Sequence, residues 1–100
     1  MNTILRTETF DQWLRKLKDF RGKARIVERI RSAERGNFGD SKSIGQGVYE
    51  MRISFGPGYR IYYSHIGEIV YVLLCGGRKR NQQRDIAKAQ DMVQLLKEQS

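Results

Sequence analysis

Along residues 48–55 the chain alternates: Tyr49, Met51, Ile53 and Phe55 fall on one side, and Val48, Glu50, Arg52 and Ser54 on the other. Successive strand residues face opposite sides of a sheet, so this is a strand pattern. Gly56-Pro57-Gly58 reverses the chain, because proline fixes φ and glycine tolerates positive φ. Alternation then resumes, with Tyr59, Ile61 and Tyr63 against Arg60, Tyr62 and Ser64. Residues 69–75 are apolar without alternation, as in a strand covered on both faces. An antiparallel meander of these three strands with matching faces places Glu50, Arg52, Arg60 and Tyr62 on one open surface.

Periodicity near 3.6 flanks the meander. Residues 2–6 read as a short strand, after which Thr9 and Gln12 have the spacing of a capping box. Phe10, Trp13, Leu14 and Leu17 recur at i, i+3, i+4 and i+7, the apolar stripe of an amphipathic helix, with Trp13 read as a core anchor. The helix fails around 19–22. A second follows to about Arg35, with Ile26, Val27, Ile30 and Ala33 inward and Gly36-Asn37 as its stop. Two helices so closely connected predict an antiparallel hairpin. Residues 36–47 read as a loop with one short strand near Ser41 to Ile44. After the meander, Gly76-Gly77-Arg78-Lys79-Arg80-Asn81 reads as a flexible basic turn. Asn81 is the expected N-cap of a last helix carrying Ile86, Ala89, Val93 and Leu96. The expected fold class is α+β, one domain over residues 1–100.

Composition narrows the function. An apolar fraction of 39% separates the chain from disordered sequences. Nineteen Lys and Arg against eleven Asp and Glu leave a net charge of +8, which points to a polyanionic partner. Nine of the cations fall between Arg15 and Arg35, where a solvated helix face and an RNA contact are equal readings. A single cysteine excludes an internal disulfide, and no signal peptide or membrane-spanning run is read, so a cytoplasmic location is expected. Without a His/Cys cluster at ligand spacing, no metal and no cofactor are expected. The lone His65 is expected on the covered face or at its end, outside catalysis, and Cys75 as inert packing.

The open face carries the candidate chemistry. Arg52 and Arg60 are guanidinium forks suited to a phosphate, Glu50 is a carboxylate among cations, and Tyr62 offers a ring and a hydroxyl. Lys79 and its neighbours enter from the turn beyond the third strand. Cleavage of RNA by its own 2′-OH needs a base for that hydroxyl, cations for the charge on phosphorus oxygens, and an acid for the leaving 5′-oxygen. Glu50 is the available base, the two arginines stabilise the transition state, and Lys79 or Tyr62 donates. A structural Glu50–Arg52 ion pair accounts for the same residues equally well.

The combination Tyr49-Glu50-Met51-Arg52-Ile53, Gly56-Pro57-Gly58-Tyr59-Arg60-Ile61-Tyr62-Tyr63 and Leu74-Cys75-Gly76-Gly77 with basic residues following resembles the RelE/ParE toxin superfamily. Within it, the chain looks most like the HigB-like addiction module killer branch of bacterial type II toxin–antitoxin systems. The resemblance spans nearly the whole chain. It implies a small RelE-like domain, an N-terminal strand and helical hairpin packed on a mainly antiparallel sheet, with a C-terminal helix. It also implies a ribosome-dependent, metal-independent mRNA endoribonuclease, countered by a cognate helix-turn-helix antitoxin and needing no membrane. Arg52 matches the cation of the family's Y-x-x-[KR] segment, and Arg60 the arginine after G-Y. Lys79 matches the basic residue after the last strand, with Arg78 and Arg80 as rivals and substrate contacts alongside Tyr62. Two departures stand out: Glu50 replaces a second cation found in some relatives, and an aromatic expected early in the last helix is absent. The alternatives are a ParE-like toxin that inhibits gyrase by protein binding, and an RNA-binding module without catalysis.

Overall fold

The alternating strands produce two cores, one on each face of a single sheet. The computed structural model describes residues 1–99. Its elements are β1 (Thr3–Arg6), α1 (Glu8–Lys16), α2 (Phe20–Glu34), β2 (Ser41–Gly45), β3 (Val48–Ile53), β4 (Tyr59–His65), β5 (Val70–Arg78) and α3 (Gln82–Glu98). A short 3-10 turn, Lys79–Asn81, joins β5 to α3. The strands lie in the order β1-β5-β4-β3-β2. β1 pairs with β5 in parallel, whereas the other neighbours are antiparallel. The architecture is the expected α+β, with an N-terminal strand and two helices on a mainly antiparallel sheet and a helix at the C-terminal end.

On one face, Phe10 and Leu14 of α1 and Ile26, Ile30 and Ala33 of α2 pack on Met51, Ile53, Tyr59, Ile61, Tyr63 and Leu73. On the other, Ala89 and Val93 of α3 pack on Val48, Tyr62, Val72, Leu74 and Cys75. β5 therefore has helices on both sides, which is why its apolar run does not alternate. The β4–β5 register also shifts by one residue: Tyr62 faces Cys75 while Tyr63 faces Leu73. The extra residue is Leu74, so Leu74 and Cys75 both reach the α3 side.

Three expectations need correction. The α1 N-cap is Thr7, not Thr9: Thr7 Oγ1 accepts from the Phe10 backbone N–H at 3.1 Å and itself donates to the Leu74 carbonyl at 2.6 Å. That second bond ties the cap to the sheet, which a capping box read locally does not reveal. Gly76-Gly77 is no turn, because β5 continues through Arg78. Both glycines admit close neighbours instead: a methyl at Gly76 would lie 2.4 Å from the Trp13 ring, and one at Gly77 would lie 2.0 Å from Asp85 Oδ2. Finally, the Glu50/Tyr62 face is not open. The apolar stripe of α3 needs an apolar partner and takes the inner part of this face, burying Glu50, Arg60 and Tyr62. Among the described residues, no helix is long and apolar enough to cross a membrane.

Candidate active site

Antiparallel register sets the site out along β3, β4 and β5. Glu50 lies beside Tyr62 and Arg52 beside Arg60, and Tyr62 and Arg60 lie beside Cys75 and Gly77. Over this patch sits the first turn of α3, whose inward residues are Gln82 and Asp85. Gln82 Nε2 donates to Glu50 Oε2 at 2.7 Å. Asp85 is buried above Gly77, and Arg84 Nε meets its Oδ1 at 3.4 Å.

The layer between sheet and helix is charged and under-satisfied. Glu50 Oε1, Arg52 Nε, Arg60 Nε, Tyr62 Oη and Asp85 Oδ2 have no hydrogen-bond partner among the described residues. Buried polar atoms are usually paired, so five orphans in one patch mark it out from the rest of the interior. Burial, and then the Glu50 and Asp85 carboxylates, push the Tyr62 hydroxyl far above its ordinary range. Tyr62 is a neutral phenol here and is fully buried.

The cations spread outward from this layer. Arg60 is 7% exposed and donates through Nη1 to the Tyr59 carbonyl at 3.1 Å. Arg52 is half-buried and pairs with Asp40 Oδ1 at 3.0 Å. Asp40 thus takes the role expected of Glu50, and no Glu50–Arg52 ion pair forms. Lys79 is exposed and runs beside Arg60: a methyl built on Gly58 would lie 3.4 Å from Lys79 Cβ and 3.7 Å from Arg60 Nη1. Lys79, Arg80 and Arg84 line a shallow recess of about 400 Å³ around the start of α3. At that helix start the Asn81 side chain makes no capping hydrogen bond, and the 3-10 turn runs straight into α3, with the Gln82 N–H donating to the Lys79 carbonyl.

No family model matches the chain, and no solved structure matches it. A protein of Haemophilus influenzae (strain ATCC 51907 / DSM 11121 / KW20 / Rd), described as an uncharacterized protein, is 47% identical over 93 residues. Those residues are 93% of this chain and 94% of the Haemophilus protein. The chain belongs to that protein's family. Coverage of that extent takes in β1 or α3 in large part as well as the whole meander, so the family shares a full domain rather than a motif.

Of the residues expected at the site in this member of the family, Arg52, Arg60, Lys79 and Arg80 gather at one end of the sheet beside α3. Arg78 does not join them. It pairs with Tyr59 in register, on the α1/α2 side, where it contributes to the field on Asp19. Glu50 and Tyr62 are interior, so neither can touch a bound substrate in this arrangement. Gln82, Arg84 and Asp85 were not anticipated from sequence. The signal was there: Gln82, Asp85, Ile86, Ala89 and Val93 continue one stripe at helical spacing, which puts Gln82 and Asp85 on the covered face.

Proposed function

We propose that the protein is the toxin of a bacterial type II toxin–antitoxin system, a ribosome-dependent mRNA endoribonuclease of the RelE/ParE kind that works without a metal. The observation carrying this reading is the placement of Arg52, Arg60, Lys79 and Arg80 at one end of the sheet, next to the start of α3. Guanidinium forks and an ammonium group together suit a phosphodiester. The 2′-OH gives up its proton to solvent water as its oxygen attacks phosphorus, a 2′,3′-cyclic phosphate forms, and the P–O5′ bond breaks as Lys79 delivers a proton to O5′. Arg52 offsets the charge growing on the phosphorus oxygens, buried Arg60 adds its positive field from beneath the surface, and Lys79 is the exposed donor. Glu50, enclosed and held by Gln82, is a counter-charge within the layer rather than the base. A site with strong cations and no accessible base gains most from a substrate already aligned for attack, which orientation by the ribosome supplies. The partners on this reading are ribosome and mRNA, with a helix-turn-helix antitoxin covering the cationic face in a cytoplasmic complex.

The test is cleavage of mRNA on programmed ribosomes against the same mRNA free in solution. Cutting at the decoding-site codon, free mRNA left intact, and a loss of about a hundredfold in Lys79→Ala are expected. Equal cleavage of free RNA would remove ribosome dependence. No cleavage in either setting, with gyrase supercoiling blocked instead, would replace the nuclease with a gyrase-binding toxin.

A further inference from the structure

A second recess lies on the opposite face, at the other end of the β3–β4 pair. It is an open recess of about 530 Å³ between residues 36–39 with the start of β2 and the aromatic residues Tyr49, Tyr63, His65 and Tyr71. The rings form a stack. Phe38 lies 5.0 Å from Tyr63 at 16°, and Tyr63 lies 5.5 Å from Tyr49 at 23°. Tyr71 tilts against Phe38 at 4.7 Å and against His65 at 4.6 Å. Tyr63 sits deepest, its hydroxyl engaged by Ser41, while His65 is exposed and Tyr49 and Tyr71 are half-buried. The sheet thus presents a graded aromatic wall with its outer rings facing solvent.

The loop that closes the recess is held in place. Arg29 Nη2 donates to the Phe38 carbonyl at 3.0 Å and Nη1 to the Arg52 carbonyl at 2.6 Å. A methyl at Gly39 would lie 2.9 Å from the same guanidinium, so glycine lets the loop close down on it. The Asn37 side chain further accepts from the Gly39 N–H at 3.0 Å. Lys42 is the charged residue of the lining, which contains no carboxylate.

We infer that this recess is a stacking site for an unpaired nucleobase of single-stranded RNA, the choice of RNA as polymer resting on the proposed function. Near-parallel rings extend naturally to one more planar ring, whereas a cation cage needs several ring faces converging on one point. The lysine and the missing carboxylate oppose a cationic ligand and suit a base that brings a phosphate with it. Base-on-ring stacking tolerates any sequence, as expected of a platform without a dense set of polar contacts. Three strand positions separate Tyr49 from Arg52, about 10 Å, so a short single strand passing round the β2 edge reaches both faces.

The test uses single-stranded RNA octamers carrying 2-aminopurine, whose fluorescence falls on stacking. The protein quenches the label, and the same strand in a duplex neither quenches nor competes. Tyr49→Leu keeps an apolar side chain on the core and removes the ring; with unchanged circular dichroism it loses the quench and binds about tenfold more weakly. Lys42→Ala binds less tightly at low salt yet retains quenching at saturation. Lys79→Ala binds more weakly but reaches the same quenching at saturation, which separates this site from the cleavage chemistry. Binding without quenching, duplex binding of equal strength, or an unaltered Tyr49→Leu protein would each overturn the stacking site. Absence of cleavage would leave it standing.

Discussion

Single residues here are defined by what covers them. Cys75 sits in the α3-side core, where burial first and the Asp85 carboxylate second push its thiol from 9.0 to about 12. At pH 8 the thiolate fraction should fall by about three orders of magnitude relative to an ordinary cysteine. A thiol reagent should therefore leave the native protein unlabelled and label it on unfolding in guanidinium; rapid native labelling would contradict the burial. Asp19 is the opposite case. The Gly22 backbone N–H, then the Tyr59 hydroxyl at 2.7 Å, hold its carboxyl below the ordinary 3.8. A depressed folded-state pKa adds stability that is fully present above the unfolded value and lost as pH falls through the folded one. Asp19→Ala should lower Tm at pH 7, and the gap to the parent should close below about pH 4. A gap independent of pH would mean that the carboxylate charge contributes nothing.

At the scale of elements, α3 is the organising piece, and Gly77 is the position that reports on it. A methyl there would lie 2.0 Å from Asp85 Oδ2. Gly77→Ala should thus cost about 1–3 kcal/mol through displaced packing. Hydrogen exchange should show α3 amides losing protection while α1 and α2 keep theirs; uniform loss, or none, would break the assignment. This same helix marks the boundary of what the sequence disclosed. The alternation of 48–55 and 59–64, the apolar run in β5 and the stripes of Phe10/Leu14 and Ala89/Val93 are local periodicities, and each became the element it announced. A stripe says that a helix must be covered, but not by which face of which sheet. Glu50, Arg60 and Tyr62 alternate as an exposed face would, and only the docking of α3 turns that polar row into a buried one. The same holds for Thr7, chosen over Thr9 by a carbonyl in β5, and for Gly76-Gly77, whose neighbours Trp13 and Asp85 are remote in sequence. Of the candidate site, the cations were legible as residue types in a strand row; their separation, with Arg78 on the far face, follows from the register.

For the whole molecule the governing quantity is the net charge of +8. Binding to single-stranded RNA should weaken linearly in log K against log salt, by about 0.7 per phosphate neutralised. Replacing Lys79 and Arg80 together by Ala should reduce the slope by about 1.4, measured by anisotropy from low to moderate salt. An unchanged slope would place the RNA elsewhere on the surface. The parallel pairing of β1 with β5 has a consequence in time rather than in space. The Thr7–Leu74 bond joins residues 67 positions apart, so the first strand made must wait for nearly the last. At about 5–20 residues per second, vectorial synthesis leaves β1 unpaired for roughly 3–13 s. During that interval neither a complete β5 nor the start of α3 exists. A nascent chain therefore emerges as an unassembled precursor, and its cationic cluster is complete only once Lys79 and Arg80 have been added.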